Sequence, residues 1–118
     1  PSLLENDARR MLTDWDGGAN RSMTMAYEVA REYRCQMAGV TSVDGTCRPQ
    51  IVNENDAGDF AQLLREARQR WGAGVVLNTS FNIHGEPLVC SPAEAVDVFV
   101  RSGADVLAIG PFLVSRPA

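Results

Sequence analysis

The sequence predicts an α/β (α+β) fold in which helices flank a mixed β-sheet. Two segments, 59–71 and 91–103, carry apolar residues at helical spacing, and each precedes a short apolar run typical of a strand. Residues 23–29 alternate instead between apolar and polar, and Asp44-Gly45 is a strong turn signal between two apolar segments. Helices that alternate with strands, together with an antiparallel hairpin, indicate a mixed sheet.

The N-terminal part is predicted to contain a short helix, a loop and several strands. Residues 2–13 favour the helix, because Ser2 can cap its start and Glu5 completes a capping-box spacing. Residues 14–22 (DWDGGANRS) have the composition of a loop, and 23–29 follow as a half-buried strand. A further pair of strands is expected on the two sides of the Asp-Gly turn, in AGVTSV and RPQIV.

The C-terminal part is predicted to contain the two clearest helices. Asp59 can cap the first of them, and Gly72 can end it. Ser91 is a candidate N-cap for the second, with Pro92 at its first position and Gly103 at its end. The segment GVVLN between these helices is predicted to be a strand, and DVLAIGPFLVS supplies one or two more.

Composition and charge narrow the classes of function. The 118 residues predict one domain, 1–118, and the net charge of −4 argues against a nucleic-acid surface, which needs a basic face. No apolar run approaches the roughly 20 residues that span a bilayer, so no membrane segment is expected. With no initiator Met and no signal-peptide pattern, we expect a cytoplasmic chain that is a piece of a longer protein.

The basic residues and the cysteines add two constraints. All 11 basic residues are Arg, and coding bias is the simplest explanation. Any anion that a basic side chain binds in this protein is therefore bound by a guanidinium. The 3 cysteines show no CxxC spacing and are expected to be free thiols. A zinc site made from them and His84 is the less favoured alternative.

A loop rich in hydrogen-bonding groups follows the strand GVVLN. Asn78, Thr79, Ser80 and Asn82 lie within five positions, where α/β sheets often bind ligands. Short polar residues allow backbone N–H groups to approach a phosphate or carbamoyl oxygen. The same residues are also common turn formers, so pattern alone leaves a binding loop and a capped turn equally open.

A second candidate is DGTCRP, residues 44–49. Asp44 and Gly45 form the turn, and Arg48 follows it as either a solvated side chain or an anion ligand. In HGEP, residues 84–87, His84 could be a base, a metal ligand or a structural residue, and its place in a polar loop favours the structural role. Glu86 leaves the same alternatives open, and the flanking Gly85 and Pro87 favour a role in loop geometry. The sequence contains no Walker A motif, no GxGxxG after a strand, no GxSxG and no HExxH.

Taken together, these motifs resemble the C-terminal domain of the O-carbamoyltransferases, a family that includes nodulation-factor and antibiotic-tailoring carbamoyltransferases. The resemblance runs from about Ala38 to Val114 and is carried by VDGTCRPQIV, LLREARQRWG and VVLNTSFNIHGEPLVCSPAEAVDVFVRSGADVLAIGPFLV. The segment PSLLENDA at the start of the chain resembles the family more weakly. The motif around DGTCRP and the long motif that begins at LNTSFN, found together in this order, are specific for the family. Neither motif would be specific if it stood alone.

The resemblance implies a YrdC-like twisted mixed sheet with flanking helices, truncated at its N-terminal side. Residues 1–22 would be a leading helix and loop, and 23–118 the YrdC-like core. In the family this domain takes ATP, with Mg²⁺, and carbamoyl phosphate, and forms carbamoyladenylate with loss of pyrophosphate. The carbamoyl group then passes to a sugar-type hydroxyl in an N-terminal, metal-containing, acceptor-binding domain that lies outside this chain.

Carried over by motif, Arg48 would bind carbamoyl or phosphate oxygens, and Asn78 and Ser80 would hold the same ligand. Arg48 and Ser80 are the catalytic candidates, while Thr79, Asn82 and Gly45 would shape the pocket. No metal ligand is implied within this chain.

The sequence also departs from the family pattern. The family has a basic segment before its APSVL-like stretch, and this chain begins at the equivalent of its Pro. Ser42 replaces a frequent His, and residues 15–37 match poorly. We therefore expect the piece to be inactive alone. The alternatives are a non-catalytic docking or regulatory domain of the same fold and an RNA-binding YrdC-type module, and an oligomer is compatible with the sequence.

Overall fold

A computed structural model describes residues 1–117, and the chain divides into two compact units, Pro1–Asn78 and Thr79–Ala118. The first unit contains strands β1 (Ser2–Leu4), β2 (Tyr27–Glu28), β3 (Thr46–Cys47), β4 (Gln50–Val52) and β5 (Val75–Val76), and helices α1 (Glu5–Met11) and α2 (Asp59–Trp71). The second contains helix α3 (Pro92–Ser102) and strands β6 (Val106–Ile109) and β7 (Phe112–Ser115). The α+β class is confirmed, whereas the YrdC-like topology and the single domain stay predictions.

The main sheet of the first unit is mixed, with strand order β4-β1-β5. Strand β1 runs parallel to β4, with Ser2 opposite Gln50, and antiparallel to β5, with Ser2 opposite Val76. The beginnings of β1 and β4 and the end of β5 therefore lie together, at what we call the Ser2 end of the sheet.

Apolar burial against this sheet holds the first unit together. Leu3 and Leu4 of β1 are fully buried, as are Met11 of α1 and Leu64 of α2. Each such side chain contributes about 1.5–3 kcal/mol relative to an exposed one. Because consecutive residues of a strand point to opposite faces, Leu3 and Leu4 belong to different apolar clusters, one with Met11 and one with Leu64.

A buried carboxylate joins the helices of this unit. Asp7 in α1 has no exposed surface, and its Oδ2 accepts hydrogen bonds from Arg68 Nε (2.9 Å) and from the Gly74 backbone N–H (2.9 Å). Arg10 pairs with the other oxygen, Oδ1. Arg68 also pairs with Glu54, which lowers the pKa of that carboxyl, chiefly through the Arg68 hydrogen bond. The segments around α1, α2 and β5 are thus joined by one ionic network.

The predicted helix over 2–13 was wrong at its start. Ser2–Leu4 form β1, and the helix begins at Glu5 with Leu4 at the N-cap and no side-chain cap. Ser2 is buried with β4 on one side and β5 on the other, so its backbone hydrogen bonds are made between strands. A buried backbone must have such partners, and strand pairing therefore overrides the local capping signal.

The predicted strand pair around the Asp-Gly turn was also wrong. The turn forms, with Gly45 N–H donating to Ser42 C=O (2.9 Å), but Ala38–Val40 is a 3₁₀ helix. Strand β3 pairs instead with β2, which is shorter than the predicted 23–29, and β4 pairs with β1. Partners distant in sequence replace the local hairpin.

The C-terminal predictions are confirmed with one exception. Helix α2 has the predicted bounds, but its N-cap is Gly58 rather than Asp59. Ser91 caps α3 in a full capping box with Glu94, and β6 and β7 form an antiparallel pair. Among residues 1–117, none of the helices combines the length and apolar character that crossing a membrane requires.

Candidate functional site

A cluster of polar side chains lies at the Ser2 end of the sheet. Gln50 Oε1 accepts two hydrogen bonds, from Ser2 Oγ (2.8 Å) and from Asn78 Nδ2 (2.9 Å). The register explains this meeting, because Ser2 is opposite Gln50 on one side and opposite Val76, two residues before Asn78, on the other. Ser2 is fully buried, and the other two side chains are half-buried. We call these three residues the Ser2–Gln50–Asn78 cluster.

Arg48, two residues before β4 begins at Gln50, supplies an available cation. The lowered pKa of the Pro1 amino group is caused mainly by burial, and the charge of Arg48 adds a small part to it. Arg48 is exposed and forms neither an ion pair nor a hydrogen bond with residues 1–117. Carboxylates or carbonyl groups hold seven other arginines: Arg9, Arg10, Arg34, Arg65, Arg68, Arg101 and Arg116.

The turn before Arg48 leaves little space for a side chain at position 45. Gly45 has φ +84°, and a Cβ there would lie 2.8 Å from Arg34 Cζ. Arg34 is itself held by Val29 C=O (3.0 Å) and Glu28 (3.0 Å). Asp44 accepts hydrogen bonds from the Thr46 side chain and backbone, which lower the pKa of its carboxyl. Glycine at 45 thus shapes the turn that leads to Arg48.

The polar loop after β5 continues into the second unit. Thr79 and Ser80 are exposed, and their side chains form no hydrogen bond with any residue of 1–117. Asn82 is half-buried, and its Nδ2 donates to the backbone oxygens of Ile83 (3.1 Å) and Glu86 (2.9 Å). The Asn82 side chain therefore stabilises the loop in which it lies, while the hydroxyl groups of Thr79 and Ser80 are available to a ligand.

A bidentate ion pair anchors this loop to α3. Arg101 Nη1 and Nη2 donate to the two carboxylate oxygens of Glu86, each at 2.8 Å, and these bonds lower the pKa of Glu86. Glu86 thus has an ion-pair partner within its own unit. His84 is exposed, and within residues 1–117 no three His, Cys, Asp or Glu side chains are grouped as metal ligands.

The three cysteines are free thiols, as predicted. Cys47 is buried, and burial raises the pKa of its thiol above the ordinary value. Cys35 and Cys90 are exposed.

The structure thus brings Arg48 and Asn78 to the same end of one sheet, whereas Thr79, Ser80 and Asn82 belong to the second unit. Sequence reasoning missed Ser2 and Gln50. Gln50 carried a usable signal, because it lies two positions after Arg48 and alternate residues of extended backbone share a face. Ser2 was missed because it was assigned to a helix.

Comparison with known proteins extends the resemblance to nearly the whole chain. The family described as carbamoyltransferase C-terminus matches residues 1–116, which includes the poorly matching segment 15–37. Nodulation protein NolNO of Sinorhizobium fredii is 35% identical over 98% of this chain and 17% of its own length. Nodulation protein NolO of Bradyrhizobium diazoefficiens is 35% identical over 100% of this chain and 22% of its own length. An uncharacterized protein of Methanocaldococcus jannaschii is 33% identical over 98% of this chain and 19% of its own. The chain therefore spans 17–22% of the length of these curated relatives.

Proposed function

The chain belongs to the carbamoyltransferase C-terminal family, and from this premise we propose that it binds ATP and carbamoyl phosphate within a carbamoyltransferase. The observation that carries the proposal is the free guanidinium of Arg48, two residues before Gln50 at the same end of the sheet as the Ser2–Gln50–Asn78 cluster. An available cation and an ordered amide pair at one end of the sheet suit a ligand with both a phosphate and an amide-like group.

The proposed reaction forms carbamoyladenylate. Carbamoyl phosphate loses its phosphate to water and yields carbamate, and a carbamate oxygen then attacks the α-phosphorus of ATP. The bond from that phosphorus to the β-phosphate bridging oxygen breaks, and pyrophosphate leaves. A sugar-type hydroxyl on an acceptor-binding domain of the same protein then takes the carbamoyl group and releases AMP. Such a reaction depends on positioning and charge stabilisation more than on a protein acid or base.

The residues of the cluster fit the anionic ligand rather than a metal ion. Arg48 offers a planar fork of donors that matches two oxygens of a phosphate or carbamate. The cluster itself contains no carboxylate, whereas Mg²⁺ is held mostly by carboxylates, phosphates and water. We therefore propose that Mg²⁺ arrives on the phosphates of ATP, where it neutralises their charge. Ser80, with its free hydroxyl, remains a separate candidate from the family motif.

Equilibrium binding tests the role of Arg48. Arg48→Ala should weaken the binding of carbamoyl phosphate about 10- to 100-fold, because a charge-assisted hydrogen bond contributes roughly 1.5–3 kcal/mol. Arg70→Ala is the matched control, since Arg70 is also exposed and without a partner among residues 1–117. If Arg48→Ala and Arg70→Ala bound carbamoyl phosphate with equal affinity, the proposed role of Arg48 in binding would be wrong.

The activity is tested in the longer parent protein. With ATP and carbamoyl phosphate, that protein should release pyrophosphate, and Arg48→Ala should reduce the rate while Arg70→Ala does not. A protein that binds neither ligand and releases no pyrophosphate would favour the docking or regulatory alternative.

A further inference from the structure

We propose that Gln50 is a positioning residue that makes the site select a carbamoyl group over other acyl groups. It would do so by orienting the side-chain amide of Asn78. This inference rests on the proposed function in one respect, that Asn78 contacts the ligand.

The orientation follows from which atom of Gln50 is used. The side-chain oxygen of an amide accepts hydrogen bonds and cannot donate them. Gln50 Oε1 faces Ser2 Oγ at 2.8 Å and Asn78 Nδ2 at 2.9 Å, so it takes a proton from each. In this arrangement Gln50 holds the Nδ2 end of Asn78.

The support behind Gln50 makes this orientation rigid. Its backbone N–H donates to Pro1 C=O (2.8 Å), and its strand pairs with β1. Ser2 has no exposed surface, so its hydroxyl is withheld from water and is committed to Gln50. A side chain held by a buried partner and by its own strand loses little freedom when it orients a neighbour.

The consequence is a hydrogen-bond acceptor at Asn78. One of the two Nδ2 hydrogens of Asn78 is donated to Gln50, which fixes the Nδ2 side of the amide toward Gln50 and leaves Oδ1 as a free acceptor in a fixed direction. An acceptor pairs with the NH₂ of a carbamoyl group and has nothing to pair with in the methyl of an acetyl group. If the Asn78 amide were free to flip, it would offer N–H groups as often as oxygen, and the discrimination would be lost.

Two variants of Gln50 distinguish the effect of its hydrogen bond to Asn78 from the effect of its side-chain size. Gln50→Met keeps the length of the side chain but removes the acceptor, so it should release Asn78. Gln50→Glu keeps oxygens that accept from Ser2 and Asn78, so it should preserve the orientation. Its added negative charge lies two residues from Arg48 in the chain and should weaken the binding of all anions alike. Gln69→Met, on the exposed face of α2, is the control for the substitution itself.

The first readout is the side-chain ¹⁵N–¹H spectrum of the ligand-free protein, with the Asn78 signals assigned through Asn78→Asp. Wild type, Gln50→Glu and Gln69→Met should show Asn78 amide protons shifted from solvent-exposed values. In Gln50→Met these protons should move to values typical of an exposed Asn. An unchanged Asn78 signal in Gln50→Met would overturn the positioning role.

The second readout is the ratio of affinities for carbamoyl phosphate and acetyl phosphate, which differ by NH₂ against CH₃. Wild type and Gln50→Glu should prefer carbamoyl phosphate about tenfold, as one hydrogen bond allows, and Gln50→Met should lose the preference. A ratio that Gln50→Met leaves unchanged would overturn the selectivity. If wild type bound neither compound, the proposed function would fail and this selectivity with it. The spectrum would still decide whether Gln50 positions Asn78.

Discussion

Replacing Asp7 with asparagine should destabilise the first unit far more than the size of the change suggests. Asp7 is fully buried, and its carboxylate is shared by Arg10, Arg68 and the Gly74 N–H. The asparagine side chain keeps the shape of the aspartate but carries no charge, and its Nδ2 would turn a donor toward the donors of one arginine. The change therefore removes the buried anion, while Arg10 and Arg68 keep their charges.

The magnitude follows from burial. Breaking a buried ion pair by removing one partner costs about 3–5 kcal/mol. Arg68 keeps its pair with Glu54, so we expect the lower end, about 3 kcal/mol. For a unit of this size, Pro1–Asn78, this corresponds in thermal unfolding to a fall in Tm of about 12–24 °C.

Urea unfolding followed by tryptophan fluorescence measures the loss, since Trp15 and Trp71 both lie in the first unit. The control is Glu5→Gln on the same helix, where Glu5 pairs with the exposed Arg9. Such surface pairs contribute at most about 1 kcal/mol, so this variant should stay near wild type. If Asp7→Asn lost no more stability than Glu5→Gln, the network would not be a source of stability.

Acid should weaken the same network through Glu54. The hydrogen bond from Arg68 lowers the pKa of Glu54 below its ordinary 4.5. Its contribution is therefore complete above that value and is lost as the pH falls through 4.5 toward the lower pKa of the folded state. Glu54→Gln should be less stable at neutral pH and should lose less stability between pH about 5 and 3. Parallel pH profiles for Glu54→Gln and wild type would refute this assignment.

Two further predictions concern packing and thiol reactivity. Gly74→Ala should cost about 1–3 kcal/mol, since its Cβ would lie 2.7 Å from an Asp7 oxygen and 2.9 Å from a backbone carbonyl. Gly39→Ala, where a Cβ meets nothing within 4 Å, should be neutral or slightly stabilising in the same denaturation experiment, and equal losses would refute the steric argument. With iodoacetamide, Cys35 and Cys90 should react in the native protein. Cys47, buried and with a raised thiol pKa, should react only on unfolding, and rapid native labelling of it would argue against this packing.

Local signals predicted the elements that local interactions build. The apolar stripe of α2, the capping box at Ser91 and the adjacent strands β6 and β7 each depend on residues close in sequence. The predictions failed where a distant partner decides the structure. Serine is common at helix N-caps, but pairing with β4 and β5 makes Ser2 a strand residue.

The family and the candidate ligand-binding residues Arg48 and Asn78 were apparent from the sequence alone, because linked motifs preserve the residue types that the chemistry requires. Only the tertiary structure decided that Gln50 stands between Ser2 and Asn78, 48 and 28 residues away in sequence. Side chains that distant meet only when strand pairing sets their register, and no local pattern encodes that register. Asn78 was a candidate binding residue in the sequence, and the sheet provides the Gln50 contact on which the proposed orientation of its amide depends.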